Sequence, residues 1–318
     1  MKGKILAQES ISDYSFADVV RMIKSVIRIT VSVELVGAVL LATSFVPKFG
    51  LRGVYMAVFH AISAFCNAGF DLIGGYRSLT QFNGDPIVIY TIALLIITGG
   101  LGFIVWKDLA DFRKTKTLYL HTKLVLIISA FLIVFGALFF FVSEHSNPAT
   151  MGPLNFFEKI NAAVFHSVTC RTAGYNSLPL NEMSEMSKIM TILLMFIGAA
   201  PGSTGGGIKV TTFGILLMAI LSNIRGDEET VVLKRRVPQV VVNKALSIAG
   251  LSMLLIFIMT TIVVSVERLP FINVLYEVTS AFGTVGLSTG ITPHLQNISK
   301  LVLIFTMFLG RVGPLSFA

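Results

Sequence analysis

The chain reads as an all-α polytopic membrane protein, built from span–pore helix–span repeats around a central pore. Apolar composition, the spacing of long apolar runs and a glycine-ended segment that recurs three times support this reading. Of 318 residues, 54% are hydrophobic and only 13% charged, against roughly 25% charged in an ordinary soluble domain. Mean hydropathy is +0.81, too high for a surface that must meet water.

The elements follow in chain order. Residues 1–24 are a polar segment with Lys2, Lys4, Arg21 and Lys24, and no small-residue cleavage site follows a short apolar core, so no secretory signal is visible. Residues 25–108 form a span–pore–span unit from the apolar runs 29–46 and 87–106. A basic loop at 109–123, with Lys107 just before it, holds Arg113, Lys114, Lys116 and Lys123. Residues 124–222 form a second unit from runs 124–142, 189–200 and 213–221. The last two are half-length because the second span is broken. A further basic loop, 223–244, holds Arg225, Lys234, Arg235, Arg236 and Lys244, and residues 245–318 form a third unit from runs 245–266 and 301–309. The longer runs approach or reach the roughly 20 residues that cross a bilayer core.

The formal net charge of +8 lies mostly in the N-terminal segment and these two loops. That distribution puts the N-terminus of this chain and both basic loops in the cytoplasm of a multi-pass cell (plasma) membrane protein. The partner of the basic patches is the lipid bilayer, not nucleic acid. Two cysteines, Cys66 and Cys170, are too few for a disulfide framework and lack metal-ligand spacing. No Walker loop, catalytic triad or paired acids appear, so the chain is not read as an enzyme.

Between the runs lie "FHAISAFCNAGFD" (59–71), "FHSVTCRTAGYN" (165–176) and "YEVTSAFGTVGLS" (276–288), with Gly69, Gly174 and Gly286 in register. Each segment is a short amphipathic helix followed by a glycine loop. Apolar segments of this length are commonly re-entrant, and non-helical backbone at membrane depth is tolerated where it is buried or lines a watery path. Three such loops in equivalent places imply one axis. Backbone carbonyls there would replace the hydration shell of an alkali cation, and glycine permits the angles that turn them inward.

Through "AFCNAGFDL", "TCRTAGYN", "GAAPGSTGGGIKVTT", "TSAFGTVGLSTGITP" and "GRVGPL" the chain resembles the membrane subunits of the Trk/Ktr/HKT potassium transporters, TrkH and KtrB among them, and most of all the KtrB type. The resemblance implies four repeats around one ion path, of which this sequence holds the equivalents of repeats two, three and a shortened four. It thus implies a fragment lacking the first repeat and the C-terminal end. It also implies K⁺ as the transported ion, with Na⁺ coupling as an option, a homodimer, and a cytosolic nucleotide-binding regulatory subunit of KtrA/TrkA type. No covalently bound cofactor is expected. A second reading is a non-conducting fragment or an assembly partner of a transporter.

The K⁺ filter is expected from the carbonyls of Asn67, Ala68, Gly69 and Phe70, of Thr172, Ala173, Gly174 and Tyr175, and of Thr284, Val285, Gly286 and Leu287. Asp71 and Asn176, just past the filter, either draw cations to the mouth or cap their loops. His60 and His166 read as packing positions. Arg311, a cation deep in the last apolar run, is expected to face the interior. By resemblance it is an electrostatic barrier below the filter. Its alternative is an ion pair with Glu34.

The run "GAAPGSTGGGIKVTT" (198–212) comes near a phosphate-binding loop but fails its pattern, since Ile208 displaces the lysine and Val210 separates Lys209 from Thr211. Pro201 removes a backbone donor and each glycine weakens a helix by roughly 1 kcal/mol relative to alanine. The run is therefore expected to break the span. By resemblance, Gly202, Ser203, Thr204, Gly205, Gly206, Gly207 and Lys209 form an intramembrane gate under the filter.

Overall fold

The computed structural model describes residues 16–75, 77–227, 229–233 and 235–313. Lys2, Lys4, Lys234 and most of the expected 1–24 segment lie outside the described residues. A sequence of long helix, short helix, glycine loop and helix occurs three times. Helix α1 (Phe16–Phe49) leads to α2 (Leu51–Phe65) and α3 (Pro86–Gly100), which turns into α4 (Phe103–Thr115). Helix α5 (Leu120–Glu144) leads to α6 (Phe156–Thr169) and to α7 (Glu185–Phe196) with α8 (Val210–Arg225). Helix α9 (Gln239–Glu267) leads to α10 (Phe271–Phe282) and α11 (Asn297–Val312).

Ile23–Phe49 of α1, α5 and α9 are each long and apolar enough to cross a membrane, and α3 with α4 makes a fourth candidate bent by 93°. Their outward faces carry exposed apolar side chains, such as Val31, Leu35 and Val39 on α1 and Phe131, Val134 and Leu138 on α5. A bilayer would cover such faces, and the chain is a membrane protein.

Local chemistry sets the starts of several helices. Asp85 caps α3 by accepting from the Val88 N–H, with Pro86 in the first turn, where its missing donor costs nothing. Asn155 and Glu158 form a capping box on α6, and Ser184 caps α7. Gly50 alone separates α1 from α2, and the hairpin is so tight that a Cβ on Gly53 would overlap the Phe45 carbonyl.

One expectation changes. The run 87–106 is not one straight helix, because Gly102 takes φ +84° and the chain turns sharply after Gly100. Lys107, Arg113 and Lys114 therefore sit on a helix, α4, and the connection to α5 shrinks to a few residues. Apart from one short ribbon, the described elements are helical, as the all-α class expects. Within the second basic stretch a two-stranded antiparallel ribbon, β1 (Val231–Val232) and β2 (Arg235–Arg236), closes a tight turn.

The short helices α6 and α10 are largely buried, and α2 is buried on one face. Helix α3 packs against both α2 and α6, and α7 packs against α10, so each second helix bridges to the next short helix. Small residues permit the closest approaches. A Cβ on Gly99 would overlap the Phe65 carbonyl at the end of α2, and a Cβ on Gly310 would overlap the Phe282 carbonyl at the end of α10. Interhelical contact of this closeness is typical of helices packed in lipid.

Candidate functional site

Each short helix ends at a loop with the same backbone pattern. Asn67 and Gly69 have φ of 51° and 70°, Thr172 and Gly174 have 74° and 93°, and Thr284 and Gly286 have 50° and 93°. The residues between them, Ala68, Ala173 and Val285, keep ordinary negative φ. In a normal extended strand successive groups alternate sides. Alternating the handedness of successive residues instead brings their carbonyls to one side, and glycine takes its share of that geometry without a Cβ penalty.

The loops converge. A Cβ on Gly69 would overlap the Ala173 carbonyl, and one on Gly174 would overlap the Val285 carbonyl and come within 3.4 Å of the Gly286 Cα. The Asn67 amide lies 3.3 Å from the Thr172 hydroxyl. The twelve expected residues thus occupy three neighbouring loops, the middle one enclosed on both flanks. In the outer two, Ala68, Phe70 and Gly286 stay exposed.

The fourth carbonyl of two loops takes part in hydrogen bonds of its own. The Phe70 carbonyl accepts from the Ser63 hydroxyl at 2.8 Å and from the Tyr175 hydroxyl at 3.1 Å. The Tyr175 carbonyl accepts from the Thr169 hydroxyl at 2.7 Å. These bonds tie the loops back to the short helices and fix their shape. In the third loop Glu277 anchors the exit. It accepts from Ser288 Oγ at 2.8 Å, Thr289 N–H at 2.7 Å, Thr289 Oγ1 at 3.1 Å and Thr292 Oγ1 at 2.6 Å.

The 198–209 stretch breaks the span between α7 and α8 and lies directly against these loops. A Cβ on Gly205 would overlap the Thr172 hydroxyl, and one on Gly206 would overlap the Thr284 hydroxyl. The Thr204 hydroxyl donates to the Phe65 carbonyl at 3.2 Å. Its backbone is stitched to the α3–α4 bend, with Ala200 N–H donating to Gly100 O, Thr204 N–H to Gly99 O and Phe103 N–H to Gly202 O. Gly202 and Gly207 have φ of 67° and 68°, and Ser203 hydrogen-bonds within the turn. Among the described residues the run follows a helix, α7, and not the strand that a phosphate loop requires.

Two cations hold this stretch. Lys209 Nζ donates to the Gly205 carbonyl at 2.8 Å, and Arg311 Nη1 to the Thr204 carbonyl at 2.6 Å. Glu34, the alternative partner for Arg311, instead accepts from the Cys66 thiol at 3.9 Å. His60 and His166 are fully buried, bonded to the Met56 carbonyl and the Thr191 hydroxyl, as packing positions should be. Asp71 caps its loop through the N–H groups of Ile73 and Gly74. Asn176 ties the second loop to the first, its N–H donating to the Ser78 hydroxyl.

Sequence reasoning did not single out Glu277 or Arg171. An acid inside an apolar twelve-residue helix, followed at a distance by a Ser/Thr cluster, was the available signal for the first. Arg171 stands one residue before Thr172 and was visible only as part of "TCRTAGYN".

Residues 4–318 match the family TrkH, described as a cation transport protein. The chain is 41% identical over 318 residues to Ktr system potassium uptake protein B of Bacillus subtilis, covering all of this chain and 71% of that protein. It is 38% identical over 315 residues to the potassium/sodium uptake protein NtpJ of Enterococcus hirae, covering 98% of this chain and 69% of that one. The crystal structure of the potassium transporter TrkH from Vibrio parahaemolyticus shares the fold, with a TM-score of 0.73 at 18% identity. It is matched over 95% of this chain, which spans 64% of that chain's length. The chain belongs to the TrkH cation transport protein family.

Proposed function

We propose that this chain carries K⁺ uptake across the cell membrane through a filter of backbone carbonyls, gated by the 198–209 stretch. The observation that carries the proposal is the alternation of φ sign at Asn67/Gly69, Thr172/Gly174 and Thr284/Gly286 in three adjoining loops. Carbonyls presented this way suit a dehydrated alkali cation. The names of the relatives, a potassium uptake protein and a potassium/sodium uptake protein, point to K⁺ with Na⁺ as a coupled or second ion.

The gate follows from position. The Gly205–Gly206 backbone sits against the hydroxyls at the inner ends of two loops, where it would stop an ion leaving the filter. Lys209 and Arg311 occupy two successive carbonyls of the stretch, Gly205 and Thr204. They hold it in place and add positive charge on the exit path.

A fourth loop completes the ring in this proposal. It would pack on the outward face of α2, where Tyr55 is 62% exposed, and beside Phe70, which is 70% exposed while Tyr175 at the equivalent place of the second loop is buried. We further propose a homodimer and a nucleotide-binding regulator of KtrA/TrkA type, for which a Ktr system with lettered components is the support. The basic residues of α4 and of the 223–244 stretch, facing the cytoplasm with the N-terminus, are its docking surface.

The test is ⁸⁶Rb⁺ and ²²Na⁺ uptake by the complete gene product in a cell deficient in potassium uptake. Saturable Rb⁺ uptake that K⁺ competes away is the expected result. Absence of uptake from a well-expressed product would support the second reading, an assembly partner that does not conduct.

A further inference from the structure

The three short helices end where the glycine loops converge, so each directs the partly negative end of its peptide dipoles there. After α2 the chain continues Cys66–Asn67, and after α10 Gly283–Thr284, all uncharged. After α6 it continues Cys170–Arg171. One of the three helix ends thus carries a cation.

Arg171 is only 8% exposed. Its Nη2 donates to the Ser129 hydroxyl on α5 at 3.1 Å, and its Nε has no hydrogen-bond partner. Among the described residues the ion pairs are Lys48–Asp85, Lys188–Glu185 and Arg236–Glu229, and none involves Arg171. The cavity beside it, bordered by Gly100, Leu101, Ser129, Val168 and Ala199, holds about 10 Å³. That is space for one water at most, not for a counter-anion. A guanidinium stays protonated in proteins, so Arg171, two positions past the last residue of α6, carries a full positive charge with no carboxylate paired to it among the described residues.

We propose that Arg171 is a fixed internal countercharge that offsets the cation-attracting end of α6, so that the inner end of the filter binds monovalent cations weakly and divalent cations more weakly still. Arg171 acts through the field at the loop and is a specificity-determining residue, not an ion ligand. The inference rests on the filter reading above.

It is tested in the complete gene product by the KM for Rb⁺ uptake and by its block by Ba²⁺. An electrostatic free energy doubles with the charge of the ion, so a fold-change for a monovalent ion is squared for a divalent one. Arg171→Gln is expected to lower the Rb⁺ KM about threefold and the half-blocking Ba²⁺ concentration about tenfold. Arg171→Lys, which keeps the charge, should retain wild-type values. Ser129→Asp leaves Arg171 in place but sets a carboxylate against it, and should reproduce the glutamine shifts even if Arg171→Gln does not fold. Wild-type KM and Ba²⁺ block in the neutralised variants, or a lysine variant that shifts as far as glutamine, would overturn the proposal. A wild-type protein that takes up no Rb⁺ would remove the filter reading itself.

Discussion

Arg311 on α11 donates from Nη1 to the backbone carbonyl of Thr204 at 2.6 Å, joining two residues 107 positions apart. It is therefore a clasp on the 198–209 stretch and, in the proposed gate, also a charge on the exit path. A charge-assisted hydrogen bond of this kind is among the stronger ones, and under that proposal both roles oppose ion passage. Arg311→Ala should raise Rb⁺ uptake severalfold in the complete gene product. Unchanged or reduced uptake at normal expression would show that the clasp does not restrain the stretch.

The stretch itself can be displaced by a single methyl group. At Gly206 a Cβ would overlap the Thr284 hydroxyl and reach within 3.0 Å of the Gly283 carbonyl, so alanine must push the backbone away from the loops. Gly206→Ala and deletion of Ser203 to Gly207 should both increase uptake. A deletion variant with wild-type transport would exclude gating by this segment.

Much of this arrangement was legible in the sequence. Gly69, Gly174 and Gly286 fall in register because the same backbone turn is needed three times, and Pro201 with its glycines marks a broken span through composition alone. The bend between α3 and α4 was hidden, since Leu101 and Gly102 lie in an unbroken apolar run and hydropathy carries no direction. Glu277 was equally hidden, because its partners lie 11 to 15 residues further on and only the folded loop brings them together. The direction of a carbonyl has no sequence signature, so the hydrogen bonds that Ser63 and Thr169 make to two of the expected filter oxygens were hidden as well.

Those two hydroxyls give the third prediction. Ser63 and Thr169 hold the Phe70 and Tyr175 carbonyls from behind, and each such bond contributes about 1 kcal/mol. Ser63→Ala and Thr169→Val remove them with little change in volume. Rb⁺ over Na⁺ selectivity should fall about fivefold in each, the factor that roughly 1 kcal/mol commands, while expression stays normal. Ratios of ⁸⁶Rb⁺ to ²²Na⁺ uptake equal to wild type would show that the loops keep their shape without this support.

A last prediction concerns stability at the start of α3. Burial alone would raise the Asp85 carboxyl, but the Lys48 ammonium at 2.6 Å, the Ser44 hydroxyl and the Val88 N–H outweigh it and hold its pKa below the ordinary value. A carboxyl depressed in the folded state stabilises it fully above the unfolded value, near 3.9, and loses that contribution as pH falls through the lower folded value. Asp85→Asn keeps the cap, since asparagine caps a helix as well as aspartate does, but removes the charge that faces Lys48, and should therefore cost about 0.5 kcal/mol at neutral pH, within the range for a partly exposed ion pair. The gap from wild type should close as the pH drops below about 4. Thermal unfolding of the detergent-solubilised protein at several pH values measures this. A gap that stays constant down to strongly acidic pH would mean that the charge of Asp85 does not hold α1 to α3.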